Sequence, residues 1–133
     1  MAALKIMIVE DEIIVAKDIQ RILKKLGYEA FDPYANGKKA LDSVEKLNPD
    51  LILLDINLKS SELDGIQVAE QIHQHYQIPF IFLTAKTEKE DLLAKDYFQT
   101  RIWETIEIGN VSLNEIKTYI EKKLLFHNRF EYL

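Results

Sequence analysis

Ile52-Leu53-Leu54-Asp55 is the stretch whose reading decides the fold. This short apolar run follows the breaker pair Asn48-Pro49 and Asp50, and it ends abruptly on a carboxylate. Such a run, bounded by turn residues and closed by a polar one, reads as a buried strand with Asp55 at its C-terminal mouth. Open α/β sheets keep their chemistry there. A second stretch is built the same way, because Leu4-Lys5-Ile6-Met7-Ile8-Val9 runs straight into Glu10-Asp11-Glu12. Strands that deliver several carboxylates to one sheet edge make an unfavourable arrangement unless a cation or a phosphoryl reaction uses it. Crowded like charges resist ionising together, and a hard divalent cation relieves that.

Outward from these strands, the pattern alternates. Ile19, Ile22, Leu23 and Leu26 recur at helical spacing, with Lys17, Asp18, Gln20, Arg21, Lys24 and Lys25 on the other face and Gly27 as a stop, which predicts a helix over about Glu12 to Leu26. Tyr28 to Phe31 is a short strand ended by Asp32-Pro33. Asn36-Gly37 precedes a second helix marked by Ala40, Leu41, Val44 and Leu47. Ile56 to Glu62 is loop, and Asp64-Gly65 starts a third helix whose face carries Ile66, Ala69, Ile72 and Tyr76. Pro79 introduces the buried strand Phe80-Ile81-Phe82-Leu83, which ends on Thr84. A short helix is expected from Thr87 to about Lys95, a strand among Ile102, Trp103, Ile106 and Ile108, and a last helix on Leu113, Ile116, Ile120 and Leu124. Short connections and right-handed crossovers then require a parallel α/β sheet covered on both faces.

With 133 residues, 47% of them hydrophobic, the chain is expected to form one domain, 1–133, with a core over about 4–124 and a helical tail over 125–133. A formal charge of −5 disfavours direct nucleic-acid binding. The absence of cysteine excludes disulfides, thiolate metal sites and cysteine nucleophiles. No apolar run approaches the roughly 20 residues needed to span a bilayer, and Met1-Ala2-Ala3 leads straight into a strand, so the expectation is a soluble, cytoplasmic protein without a membrane association.

Ile6-Met7-Ile8-Val9-Glu10-Asp11-Glu12, Leu51-Ile52-Leu53-Leu54-Asp55-Ile56-Asn57-Leu58, Leu63-Asp64-Gly65 and Phe82-Leu83-Thr84-Ala85 together resemble the receiver domain of two-component response regulators. Each motif is weak alone, but their order and their places at strand ends and helix starts are specific. The resemblance implies a flavodoxin-like, doubly wound sheet of five parallel strands in the order 2-1-3-4-5. It further implies that Asp55 accepts a phosphoryl group from a phosphohistidine. Glu10, Asp11, Asp55 and the backbone carbonyl of Asn57 would hold Mg²⁺, and the Thr84 hydroxyl would hydrogen-bond the phosphoryl group. The implied partner is a sensor histidine kinase or phosphotransfer protein, and the helical tail Leu124 to Phe130 would either lead to an output domain in a longer parent chain or pack in a homodimer. The activity is that of a signalling switch rather than an enzyme.

The sequence departs from that family in its last third. A lysine followed by proline usually follows the fifth strand, and alignment on the final helix puts Gly109-Asn110 there, with Ile106 at the aromatic switch position. Lys86 and Arg101 are the candidate substitute cations. The segment between Asp55 and Gly65 is also slightly long, with Lys59-Ser60-Ser61 where a proline is common. The missing lysine motivates an alternative reading, a degenerate receiver that binds partners without phosphorylation. A metal-dependent phosphatase with an aspartate nucleophile ranks third, since that class resembles Asp-x-Asp on a first strand rather than Asp55-Ile56-Asn57 on a third. His73, His75 and His127 read as a solvated helix face or tail, and Trp103, Tyr97 and Phe98 as core or interface.

Overall fold

The computed structural model describes residues 3–58, 62–84, 105–107 and 115–122, and at Thr84 and 105–107 only the backbone path. Strands β1 (Lys5–Val9), β2 (Glu29–Ala30), β3 (Leu51–Asp55), β4 (Phe80–Thr84) and β5 (Thr105–Glu107) lie parallel in the order β2-β1-β3-β4-β5. Helices α1 (Ile13–Lys25), α2 (Gly37–Leu47) and α3 (Gly65–His75) connect them, and a further helix occupies residues 115–122. The expected parallel α/β architecture is what the chain adopts.

Period-2 alternation divides each strand between two cores. Met7, Val9, Ile52, Leu54, Phe80 and Phe82 face α2 and α3, where Ala40, Val44, Val68, Ala69 and Ile72 meet them. Ile6, Ile8, Leu51, Leu53, Ile81 and Leu83 face the other way, onto Leu23 of α1 and Ile120. The central strand β3 is therefore buried along its whole length, as its unbroken apolar run predicts.

The helix ends follow local chemistry. Asn36 accepts a hydrogen bond from the Lys39 amide at 3.1 Å to start α2, and Asp64 and Gln67 form a reciprocal capping box at α3. Gly27, at φ +94°, takes the left-handed conformation that turns the chain from α1 into β2. Two boundaries differ from the sequence expectation. Tyr76 caps α3 in extended conformation, and it packs on the core from outside the helix. The second strand is shorter than Tyr28 to Phe31 because Pro33 has no N–H to donate; the ladder lapses there and returns at the single bridge between Val9 and Tyr34. The expected helix at 87–95, the 59–61 segment, Leu113, Leu124 and the 125–133 tail lie outside the described residues.

Burial separates the apolar side chains into two classes with different expected energetics. Leu54 is fully buried, whereas Ile14 is 82% exposed. Leu54→Ala should lower unfolding free energy by about 2–5 kcal/mol through lost transfer energy and a residual cavity. Ile14→Ala should change it by no more than about 0.5 kcal/mol. Urea denaturation of both variants measures the contrast.

Candidate functional site

Register builds the site. Val9 lies opposite Leu54, so the residues that follow, Glu10 and Asp55, emerge side by side where β1 and β3 end. Alternation carries both side chains toward the α1 side of the sheet, the side of Ile8 and Leu53. Glu10 and Asp55 are 4% and 6% exposed, the buried charged residues among those described. One carboxylate oxygen from each of Glu10, Asp11 and Asp55 lies within 4.8 Å of the others.

Backbone amides hold this group in place. The Asn57 N–H donates to Asp55 Oδ1 at 3.1 Å, and the Glu12 N–H donates to Glu10 Oε1 at 3.1 Å. The Glu10 N–H is itself tied to the Tyr34 carbonyl at 2.9 Å. Glu10 Oε2 is buried without a hydrogen-bond donor. Facing Asp55, it gains a bond only when one of the two carboxyls carries a proton.

The electrostatics follow. Burial pushes the Asp55 carboxyl up to about 8; the Asn57 amide opposes this, and the charges of Glu10 and Asp11 add to it. Burial likewise raises Glu10, partly offset by the Glu12 amide and by a proton shared with Asp55. An oxygen-only donor set, a buried oxygen lacking a donor and two carboxyls resisting ionisation are together suited to a hard divalent cation.

A cleft of about 280 Å³ opens beside the acids, lined by Glu10, Asp11, Ile13, Lys17, Asp32 and Pro33 among others. Ile13, which lines it, is 67% exposed, and the next residue of α1, Ile14, is 82% exposed. The far wall is tied to α1 by Gln20, whose amide donates to the carbonyls of Ala30 and Phe31 at 3.4 and 3.3 Å and to Asp32 Oδ1 at 3.1 Å.

Glu10, Asp11 and Asp55 thus come together, with the Asn57 backbone beside them. Thr84 ends β4 one residue beyond Leu83, the register partner of Asp55. Ile106 pairs with Leu83, and Glu107 pairs with Thr84, so an acidic residue occupies the sheet edge at the end of β5. Lys86, Arg101, Gly109 and Asn110 lie outside the described residues. His73 and His75 are exposed on the last turn of α3.

Sequence reading missed Ile56 and Leu58, which are 9% and 3% exposed and anchor the loop after Asp55 in the α2–α3 core. The signal was present, since Ile56-Asn57-Leu58 continues the alternation of β3 past its end. It also missed Gln20, whose reach to Asp32 has no local sequence signature.

Residues 6–107 match the response regulator receiver domain family. The chain belongs to that family. Among solved structures, it is 32% identical to the N-terminal domain of a response regulator/sensory box/GGDEF three-domain protein from Carboxydothermus hydrogenoformans, with a TM-score of 0.80 over 94% of this chain and 97% of that one. The receiver domain of a modulated diguanylate cyclase from Desulfovibrio desulfuricans is 24% identical at a TM-score of 0.83, covering 96% and 98% of the two chains. The receiver domain of NtrX from Brucella abortus is 24% identical at 0.77, covering 90% and 97%. These two share the fold. Against a longer NtrX chain, this sequence covers 98% of itself and 29% of its counterpart. Receiver domains are signalling switches, and the family binds Mg²⁺ through acidic residues of this kind. Among the described residues, no helix is long and apolar enough to cross a membrane.

The raised Asp55 carboxyl has a sign in stability. Its proton is held more tightly in the folded chain than at the ordinary value of 3.8, so ionisation to about 8 works against folding. The penalty is absent below pH about 4, grows as pH rises and is complete above about 8. Without divalent cations, Asp55→Asn should therefore be more stable than wild type at pH 8.5, and the difference should shrink toward pH 5. Thermal denaturation across that range measures it; a pH-independent loss would make Asp55 a structural residue.

Proposed function

We propose that this chain is a phosphoacceptor receiver in two-component signalling, taking a phosphoryl group from a phosphohistidine onto Asp55. The observation that carries this reading is the Glu10-Asp11-Asp55 cluster at the C-terminal edge of a parallel sheet, with Glu10 and Asp55 buried, Asp11 half-buried and one Glu10 oxygen lacking a donor. Glu10, Asp11, Asp55 and the Asn57 carbonyl would hold Mg²⁺. When bound, that ion offsets the carboxylate charge, displaces the shared proton and screens the incoming phosphoryl anion.

The remaining roles belong to the chain. The Asn57 N–H occupies Asp55 Oδ1, which leaves Oδ2 as the oxygen that attacks phosphorus. The P–N bond of the donor breaks, and its electron pair returns to the imidazole nitrogen. Thr84, which ends the neighbouring strand, would donate its hydroxyl to the transferred group. Ile13 in the cleft lining and the exposed Ile14 next to it on α1 offer an apolar contact to the protein that carries the histidine, a sensor kinase or phosphotransfer protein. The setting is cytoplasmic, and an output domain in a longer chain is a natural companion, as in the three-domain relative.

The absence of the usual lysine after β5 favours a second reading, a receiver that binds partners without phosphorylation. Losing one charge-assisted contact at a partly buried anion costs about 1.5–3 kcal/mol, which weakens phosphorylation without abolishing it. Incubation with Mg²⁺ and a small phosphodonor should add one phosphoryl mass to wild type and none to Asp55→Asn. A chain that gains no mass supports the second reading.

The switch should suffer more than the chemistry. With Ile106 at the aromatic position, amide exchange across Ile102 to Leu124 should change little on phosphorylation. A large, Asp55-dependent change would show that Lys86, Arg101 or another cation has taken over the coupling.

A further inference from the structure

The loop that follows Asp55 is seated by two glycines. The Ile56 N–H donates to the Leu83 carbonyl at 3.4 Å, and the Gly65 N–H donates to the Ile56 carbonyl at 3.0 Å. Ile56 and Leu58 point into the α2–α3 core while Asn57 between them stays exposed. At Gly65 there is no room for a side chain: a Cβ would overlap the Asp55 carbonyl oxygen and would stand 2.7 Å from Ile56 Cα and 2.8 Å from the Ile56 carbonyl oxygen. At Gly37, the first residue of α2, a Cβ would meet Val68 Cγ2 of α3 at 2.6 Å and Leu58 Cδ1 and the Leu63 carbonyl oxygen at 3.2 Å.

The two obstructions differ in kind. Gly65 is blocked by backbone that cannot rotate away, and the nearest atom at Gly37 is a removable methyl. We propose that Gly37 and Gly65 are positioning residues for the acidic site. By carrying no side chain, they let α2 and α3 close on Ile56-Asn57-Leu58 and so hold the Asn57 carbonyl and the Asp55 carboxylate in one frame. This rests on the reading of Asp55 and Asn57 as ligands to Mg²⁺.

The test combines Mg²⁺ titration with amide hydrogen exchange in the metal-free protein, since exchange at Asn57 and residue 65 reports the seat whether or not the metal reading holds. Wild type that fails to bind Mg²⁺ removes the metal reading, and exchange alone then decides the seat. Gly65→Ala should weaken Mg²⁺ binding by roughly tenfold or more, the range seen when groups supporting metal ligands are disturbed. It should also lose protection at both amides. Gly37→Ala should weaken binding by a smaller factor, and Val68→Ala added to it should restore most of the affinity although the resulting cavity lowers thermal stability. That opposition, affinity recovering while stability falls, separates positioning from general destabilisation. Should Gly65→Ala fail to fold, the Gly37 and Val68 variants decide. A folded Gly65→Ala with wild-type affinity and exchange, or a Gly37→Ala defect that Val68→Ala leaves unchanged, overturns the proposal.

Discussion

The burial of two carboxyls side by side, Glu10 and Asp55, is the constraint on which the site depends. Both carboxyls are buried, and each is held by a single neighbouring amide, Glu12 for one and Asn57 for the other. Left to itself the pair would separate or keep a proton; burial raises both carboxyls, nearby negative charge adds to it, and this favours the second outcome. Repulsion of this kind is stored in the fold and released when a cation or a proton arrives, so ligand binding and local stability are linked quantities.

The sheet is what resists that separation. Four consecutive register pairs lock β1 to β3, from Ile6 with Leu51 to Val9 with Leu54, and the acids are the next residues on each strand. A one-residue slip would turn every buried side chain to the wrong face, so two apolar cores fix the lateral relation of Glu10 and Asp55 far more firmly than local contacts could. The acids are crowded because the hydrophobic pattern leaves them no other place.

This also explains what was legible in the sequence. Uninterrupted apolar runs ending on acids, Ile6 to Glu10 and Leu51 to Asp55, announced buried parallel strands and the edge that carries the carboxylates. Asn36, Asp64 and Gly27 marked helix boundaries through chemistry that depends on near neighbours in the chain. Less visible were features that depend on distant partners: the closeness of Gly37 to Val68, the reach of Gln20 to Asp32, and the exposure of Ile13 and Ile14, which helical periodicity alone does not predict. The end of the second strand at Ala30 belonged to both kinds, since Pro33 was plain to read while the return of pairing at Tyr34 needed the neighbouring strand.

The Gln20 amide, bound to the Ala30 and Phe31 carbonyls and to the Asp32 carboxylate, joins the middle of α1 to the far wall of the acidic cleft. Helix and wall therefore move as one lever. A protein that grips α1 through its exposed isoleucines and tilts it will carry Asp32 and Pro33 with it. The width of the cleft between them is then a property of the fold, and tilting the helix would turn the cleft as a unit rather than spread it.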